Sequence, residues 1–148
     1  MLGYGATRKR KMYAATEAYR SLSAIETLAS QRFGEGIPGP DGARIHAFCP
    51  SAPRTPATAP RAEMLHAPAD AWRAEGWSCL GFTLPAPQRY SLSYTSNYPA
   101  TGSAASFTIE ANGDLDGDGV TSTFRLTAQG TKSGDLERIR HEVTNEYE

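Results

Sequence analysis

The sequence predicts an α+β fold, in which a long N-terminal α-helix packs on a four-stranded antiparallel meander sheet. Residues 7–33 contain no Gly or Pro and carry small or apolar side chains at three- and four-residue steps, which indicates a helix. Pro and Gly interrupt residues 34–87, which predicts an irregular region, and beyond Pro87 the apolar period changes to two, which indicates strands. A chain of 148 residues suits one domain, so we expect residues 1–148 to form a single unit whose sheet lies in 88–148.

The predicted helix over 7–33 is about 40 Å long and presents one stripe of small and apolar side chains. Gly34 and Gly36 are expected to end it, because glycine readily adopts the left-handed conformation that closes a helix. The stripe is the face expected to be buried, and it comprises Met12, Ala15, Tyr19, Leu22, Ile25 or Glu26, Ala29 and Phe33.

Four consecutive cations, Arg8 to Lys11, stand at the start of this helix. Cations at a helix N-terminus face the positive end of the helix dipole and lower its stability. Two interpretations are open. In one, the helix begins upstream, Met1 to Ala6 are the tail of a longer apolar helix, and the basic cluster lies where a membrane surface ends. In the other, the first residues are extraneous and the cations form a solvated basic end.

The region 34–87 is expected to wrap the core as a loop without long regular elements. A single helical turn is predicted at residues 70–73. Four large apolar side chains are expected to cover one face of the core, namely Trp72, Trp77, Leu80 and Phe82.

Four strands are predicted after Pro87, joined by turns rich in Pro, Gly, Asn and Asp. Consecutive strands of this kind indicate an antiparallel meander, and the helix stripe and one sheet face are expected to bury each other. The predicted inward positions are Tyr90, Leu92 and Tyr94, then Phe107, Ile109 and Ala111, then Val120, Ser122, Phe124, Leu126 and Ala128, and in a weaker pattern Ile139, His141, Val143 and Tyr147.

Charge and motifs argue against several classes of function. The net charge of -1 gives no general attraction to phosphate, so no nucleic-acid partner is expected. No apolar run approaches the roughly 20 residues of a membrane span, so the chain as written is expected to be soluble. No G-x-S-x-G or HExxH motif occurs, and His46, His66 and His141 are expected on the surface or in turns. We therefore expect neither an enzyme nor a required cofactor.

Asp114, Asp116 and Asp118 alternate in a Gly-rich segment between two predicted strands. The spacing resembles the first half of an EF-hand calcium loop, in which alternating carboxylates converge and a glycine permits the turn. The second half does not fit, because Arg125 stands where the bidentate Glu should be. Two interpretations are open: a plain hairpin turn, for which Asp and Gly are favoured, and a weak calcium site in which a cation relieves carboxylate repulsion.

Cys49 and Cys79 are 30 positions apart, 79 minus 49, and lack the paired spacing and neighbouring His of a zinc site. They form either one disulfide or two buried thiols, and the disulfide is favoured if the protein is exported. A closed loop of this length would contribute about 3 to 4 kcal/mol in the chain-entropy estimate.

Several segments resemble bacterial type IV pilins and the related pseudopilins of type II secretion. The periplasmic half of the pilin N-terminal helix is similar to residues 8–29, RKRKMYAATEAYRSLSAIETLA. The entry into the pilin sheet is similar to residues 76–82, GWSCLGF, followed by 88–94, QRYSLSY. The end of the chain is similar as well, over 107–114, the Asp/Gly turn, 120–127 and 143–148. The sequence departs from the family in showing no cleaved leader and no apolar stretch with an early glutamate.

This resemblance implies a single pilin-like domain that serves as a major or minor pilin or a pseudopilin. Such subunits are made in the inner membrane, processed by a prepilin peptidase and stacked by their N-terminal helices into a filament at the cell surface. The implied partners are other subunits and, through an apolar helix upstream, the inner membrane. Disulfides and calcium-stabilised loops occur in this group, which implies a Cys49–Cys79 bond and calcium at Asp114, Asp116 and Asp118. Assembly would involve Met12, Tyr19, Leu22, Ile25 and Ala29.

Three other functions compete with the filament subunit. The Asp114 to Asp118 loop favours a small calcium-binding adhesion or binding module. A small enzyme would need a deep pocket lined by perturbed carboxylates or histidines. A nucleic-acid binder would rest on Arg8 to Lys11 alone, where no aromatic side chains are interleaved.

Overall fold

A computed structural model describes the backbone of residues 3–146 and the side chains of residues 14–146. Two short 3₁₀ helices, Ala69–Arg73 and Gly102–Ala104, accompany the main elements of this part of the chain. Those main elements are α1 Gly3–Glu35, β1 Ile37–Pro38, β2 Arg44–Ile45, β3 Ala52–Thr55, α2 Glu75–Leu80, β4 Ser91–Ser96, β5 Ser106–Gly113, β6 Ser122–Gly130 and β7 Leu136–Thr144.

The long N-terminal helix is confirmed, and it extends beyond both predicted ends. α1 begins at Gly3, so the backbone of the basic cluster lies inside the helix and not at its first turn. Gly36 takes φ +87° and its N–H donates to the Arg32 carbonyl, which is the left-handed closure expected of a terminal glycine. Gly34 does not end the helix, since it lies within α1.

The sheet is antiparallel, and within residues 3–146 it has five strands in the order β3-β4-β5-β6-β7. The predicted four-strand meander is present as β4 to β7. The count of four was wrong, because β3 pairs with β4 through Ala52 with Tyr94 and Thr55 with Leu92. β3 has four residues and contains a proline, which suits an edge strand and hides the two-residue period from the sequence.

One face of the sheet packs against α1, and the buried stripe of the helix begins in the described side chains at Ala14. Phe33 stacks on Phe48 at a centroid distance of 4.6 Å, and Phe48 meets Phe107 of β5 edge to face at the same distance. The helix side chains that are fully or almost fully buried are Ala14, Ala15, Ala18, Leu22, Ile25, Ala29 and Phe33.

The region 34–87 holds more regular structure than predicted, namely β1, β2, β3 and α2. The helical turn expected at residues 70–73 is confirmed as the 3₁₀ helix Ala69–Arg73. Trp72, Trp77 and Phe82 are buried and contact one another at centroid distances of 5.3 to 5.4 Å. The indole N–H of Trp77 lies 3.0 Å from Thr55 Oγ1 and 3.2 Å from the Pro53 carbonyl, which fixes α2 to β3.

The last strand departs from its predicted pattern. β7 carries a bulge, because Thr127 pairs with Arg140 while its neighbour Ala128 pairs with Arg138. The extra residue, Ile139, is 53% exposed. His141 and Val143, also predicted inward, are exposed, with 37% of Val143 accessible. β7 is the last strand in the sheet order of residues 3–146, and Tyr147 lies outside the described residues. Val120 is also exposed, since β6 begins two residues later than predicted.

Candidate functional site

The acidic loop is the first candidate site, and it connects β5 to β6 as the hairpin interpretation expects. Asp114 is buried, with 2% of its surface exposed, whereas Asp116 and Asp118 are exposed. One carboxylate oxygen from each of the three side chains lies within 4.8 Å of the others. The predicted convergence of the three carboxylates is therefore present.

The Asp114 carboxylate already has partners inside the loop. Its Oδ1 accepts the N–H of Gly117 at 2.9 Å, and its Oδ2 accepts the N–H of Gly119 at 2.8 Å. Both glycines have positive φ, +73° and +90°, which lets the backbone curl around the carboxylate. Asp118 Oδ1 accepts the Val120 N–H at 2.8 Å. These bonds order the loop without an ion.

A second segment, residues 60–62, packs against this loop. The Asp114 N–H donates to the Pro60 carbonyl at 2.9 Å, and the Ala62 N–H donates to the Asp114 carbonyl at 2.6 Å. Arg61 Nε lies 3.4 Å from Asp114 Oδ2, and the Arg61 guanidinium also donates to the Gly117 carbonyl. No local pattern predicts that Arg61 contacts this loop, because it precedes Gly117 by 56 positions.

The net charge around this loop and the ligands it offers can be compared with those of a calcium-binding loop. The Arg61 guanidinium offsets part of the carboxylate repulsion, which weakens the electrostatic case for an ion. That side chain is 63% exposed, so it can turn away if a cation binds. Arg125 is in β6 and pairs with Glu110 at 3.1 Å on the sheet, so the chain supplies no twelfth-position ligand. The loop is therefore not an EF-hand.

Glu17 of α1 and Arg89, just before β4, form a second polar cluster between the helix and the sheet. Glu17 Oε2 accepts the Arg89 N–H at 3.3 Å and lies 3.9 Å from the guanidinium. Burial raises the pKa of Glu17, and the neighbouring Arg89 charge lowers it by less. The pKa of Tyr90 is raised, first by burial and then by the Glu17 charge. Among the described residues, this cluster therefore joins one carboxylate of α1 to the backbone and the side chain of Arg89.

Four of the five residues assigned to assembly have described side chains, and these fall in two environments. Leu22, Ile25 and Ala29 are buried against the sheet of their own chain. Tyr19 is half-buried, meets Phe124 edge to face at 5.2 Å and donates to Glu146 at 2.9 Å. Met12 lies outside the described side chains. The opposite face of α1 is exposed and polar or small, with Arg20, Ser23, Ala24, Thr27 and Gln31.

Cys49 and Cys79 form a disulfide that joins the segment after β2 to α2. Arg32 of α1 donates to the Cys79 carbonyl at 3.1 Å, so the bridge is also tied to the long helix. The three histidines are exposed, as expected. In the described part of the chain no helix is both long and apolar enough to cross a membrane.

Comparisons of the chain with known protein families, with curated proteins and with solved structures found no match.

Proposed function

We propose that this protein is a structural subunit of a bacterial type IV pilus or related secretion filament, as a major or minor pilin or a pseudopilin. The observation that carries the proposal is α1, a single uninterrupted helix over Gly3–Glu35 whose side chains from Ala14 onward pack on an antiparallel meander. A helix of 33 residues is about 50 Å long, which is unusual for a domain of this size.

In the proposed filament the two faces of α1 have separate roles. Leu22, Ile25 and Ala29 hold the helix on its own sheet, so they stabilise the subunit and contribute indirectly to assembly. The exposed face, including Ala24 and Thr27, is free to lie against a neighbouring subunit. An apolar helix upstream would supply most of the assembly energy and anchor the subunit in the inner membrane before polymerisation.

The disulfide supports export. Cys49–Cys79 closes a loop-rich region, and structural disulfides persist in the periplasm and outside the cell but are rare in the cytosol. The proposed path is therefore inner membrane and periplasm first, then the surface filament. No catalytic role is part of the proposal.

The test is a filament assay in the source organism. The gene is first inspected for an upstream apolar segment with a leader-cleavage site, and the tagged full product is then followed by immunoblot in sheared surface fractions. We expect the protein in the filament fraction, and its loss from that fraction when the upstream segment is deleted. Recovery only as a soluble species, in cells that assemble filaments, would refute the proposal.

The convergent carboxylates favour a second candidate, a calcium-dependent binding or adhesion module. Calorimetric titration of the chain with calcium distinguishes the two. A loop site would release heat and raise the melting temperature in the parent but not in Asp118→Asn, whose parent side chain is exposed and free of Arg61. No heat and no shift in melting temperature would remove this candidate.

A further inference from the structure

The free edge of β7 is an interaction surface that the proposed function does not use. β7 has nine residues and ends the five-stranded sheet, and within residues 3–146 no strand pairs with its outer edge. An unpaired edge presents backbone N–H and C=O groups to any strand that can align with it. β3, at the opposite edge, is shorter and contains Pro53, so it is the poorer template.

We propose that β7 pairs with β7 of a second copy of this chain, antiparallel and centred on His141. The two sheets then form one continuous sheet across a two-fold axis. The proposal concerns the folded domain alone and does not depend on the filament assignment.

Charge fixes the register. Arg140 and Glu142 lie on the same face of the sheet, since they pair with Thr127 and Arg125 of β6. Within one chain they already form an exposed ion pair at 3.5 Å, which the second copy would extend into a network of four charges. An axis at His141 places Arg140 opposite the second copy's Glu142, and this pairing occurs twice. An axis at Arg140 would oppose two arginines, and an axis at Glu142 would oppose two glutamates. Of these three registers, the central one opposes Arg140 to Glu142 without placing a like-charged pair on the axis.

Ile139 is the extra residue of the bulge, so the regular alternation that pairs Arg140 with Glu142 does not extend to it. The proposed register therefore rests on residues 140–142. Charged residues and a bulge often protect an edge from pairing. Here the order of the charges at Arg140 and Glu142 lets the strand face a second copy of itself with opposite charges paired.

The helices permit this arrangement. α1 packs against β5 and β6, about two strand spacings from the proposed axis. With strands roughly 4.8 Å apart, the two helices would lie about 20 Å from each other on one face of the sheet. A helix with its side chains is about 10 Å wide, so they do not collide.

Sedimentation velocity over a concentration series tests the proposal. We expect a monomer–dimer equilibrium for the parent and at least about tenfold weaker dimerisation for Arg140→Glu and for Glu142→Arg, because each opposes like charges twice. An equimolar mixture of these two variants should dimerise again, since Arg and Glu then face each other. Recovery in the mixture also shows that both variants are folded. The matched control is Arg73→Glu, an exposed site on a 3₁₀ helix, which should dimerise like the parent.

Cross-linking gives an independent readout. His141→Cys should form a disulfide-linked dimer under mild oxidation, because residue 141 faces itself across the axis, whereas Glu137→Cys should not. A parent that stays monomeric to about 1 mM would overturn the proposal. Undiminished dimerisation of both single-charge variants would also overturn it, since the contact would then lie elsewhere.

Discussion

Arg138 of β7 donates two hydrogen bonds to the carboxylate of Glu26 in α1. Its Nε lies 2.7 Å from Oε2, and its Nη2 lies 2.7 Å from Oε1. The hydrogen bond to Glu26 raises the pKa of Arg138, so the guanidinium stays charged at all ordinary pH values. This pair joins the edge strand to the long helix, where β7 otherwise buries little of its surface.

We expect Glu26→Gln to lower the free energy of unfolding by about 1 kcal/mol, because the pair is bidentate but Arg138 is half-exposed. Urea denaturation at low and high salt measures the change, which should shrink as salt rises. Glu35→Gln is the control, since its partner Arg32 is 3.6 Å away at the exposed helix end. Equal losses of unfolding free energy in Glu26→Gln and Glu35→Gln would contradict a stabilising role for the Glu26–Arg138 pair.

The Cys49–Cys79 disulfide should matter more than any ion pair. It closes a loop with a sequence separation of 30, so the double substitution Cys49→Ser with Cys79→Ser should cost about 3 to 4 kcal/mol. Thermal and urea unfolding of the two proteins, together with intact mass after alkylation, measure this. A loss below about 1 kcal/mol would mean that the surrounding packing alone orders the region.

Gly76 has no room for a side chain. A β-carbon there would lie 2.5 Å from the carbonyl carbon and oxygen of Ser51, next to β3. Gly76→Ala should therefore destabilise the chain by about 2 kcal/mol or more, because α2 must move away from β3. Gly34→Ala is the matched control: it lies in α1 with its nearest contact at 3.5 Å and should be neutral or stabilising by up to about 1 kcal/mol.

Asp114 should be the one aspartate of its loop that the fold needs. Asp114→Asn keeps one acceptor oxygen but replaces the other with an amide N–H₂, which cannot accept a loop N–H. It also removes the charge that pairs with Arg61, so the change should cost about 1 to 3 kcal/mol. Asp116→Asn should change the free energy of unfolding by less than about 0.5 kcal/mol, because its side chain is exposed. Similar losses at both positions, seen only with calcium present, would instead indicate an ion site.

Glu17 should make stability depend on pH. Burial raises its pKa in the folded chain, so the folded state binds more protons than the unfolded state between the two pKa values. The stability that protonated Glu17 contributes is therefore fully present below the ordinary carboxyl pKa. It is lost as the pH rises through the raised pKa of the folded chain. The free energy of unfolding of the parent relative to Glu17→Gln should fall over that window. A difference that rises with pH would show that the Arg89 pairing outweighs burial.

Local patterns predicted much of this fold because they depend on neighbours in sequence. The three- and four-residue spacing of Leu22, Ile25 and Ala29 predicted a buried helix face, and the alternation of Tyr90, Leu92 and Tyr94 predicted an inward strand face. The same reasoning failed at Ile139, where a bulge in the pairing with β6 breaks the period. A bulge is a property of two strands, so one strand's sequence does not reveal it.

In the candidate site, too, local spacing predicted one part and contacts between distant segments decided the other. The spacing of Asp114, Asp116 and Asp118 predicted that three carboxylates would converge, because a tight Gly-rich turn brings alternating residues together. The placement of Arg61 beside Asp114 depended on how residues 60–62 return to the sheet.

The sequence by itself determined the order of helix and strands, the buried helix stripe and the acidic turn, since each follows from local periodicity and turn chemistry. Only the tertiary structure decided that β3 joins the sheet, that Cys49 bonds Cys79, and that β7 is the last strand of the sheet formed by residues 3–146. The physical reason is that these features need contacts between distant segments, whose free energy appears only when the whole core packs together.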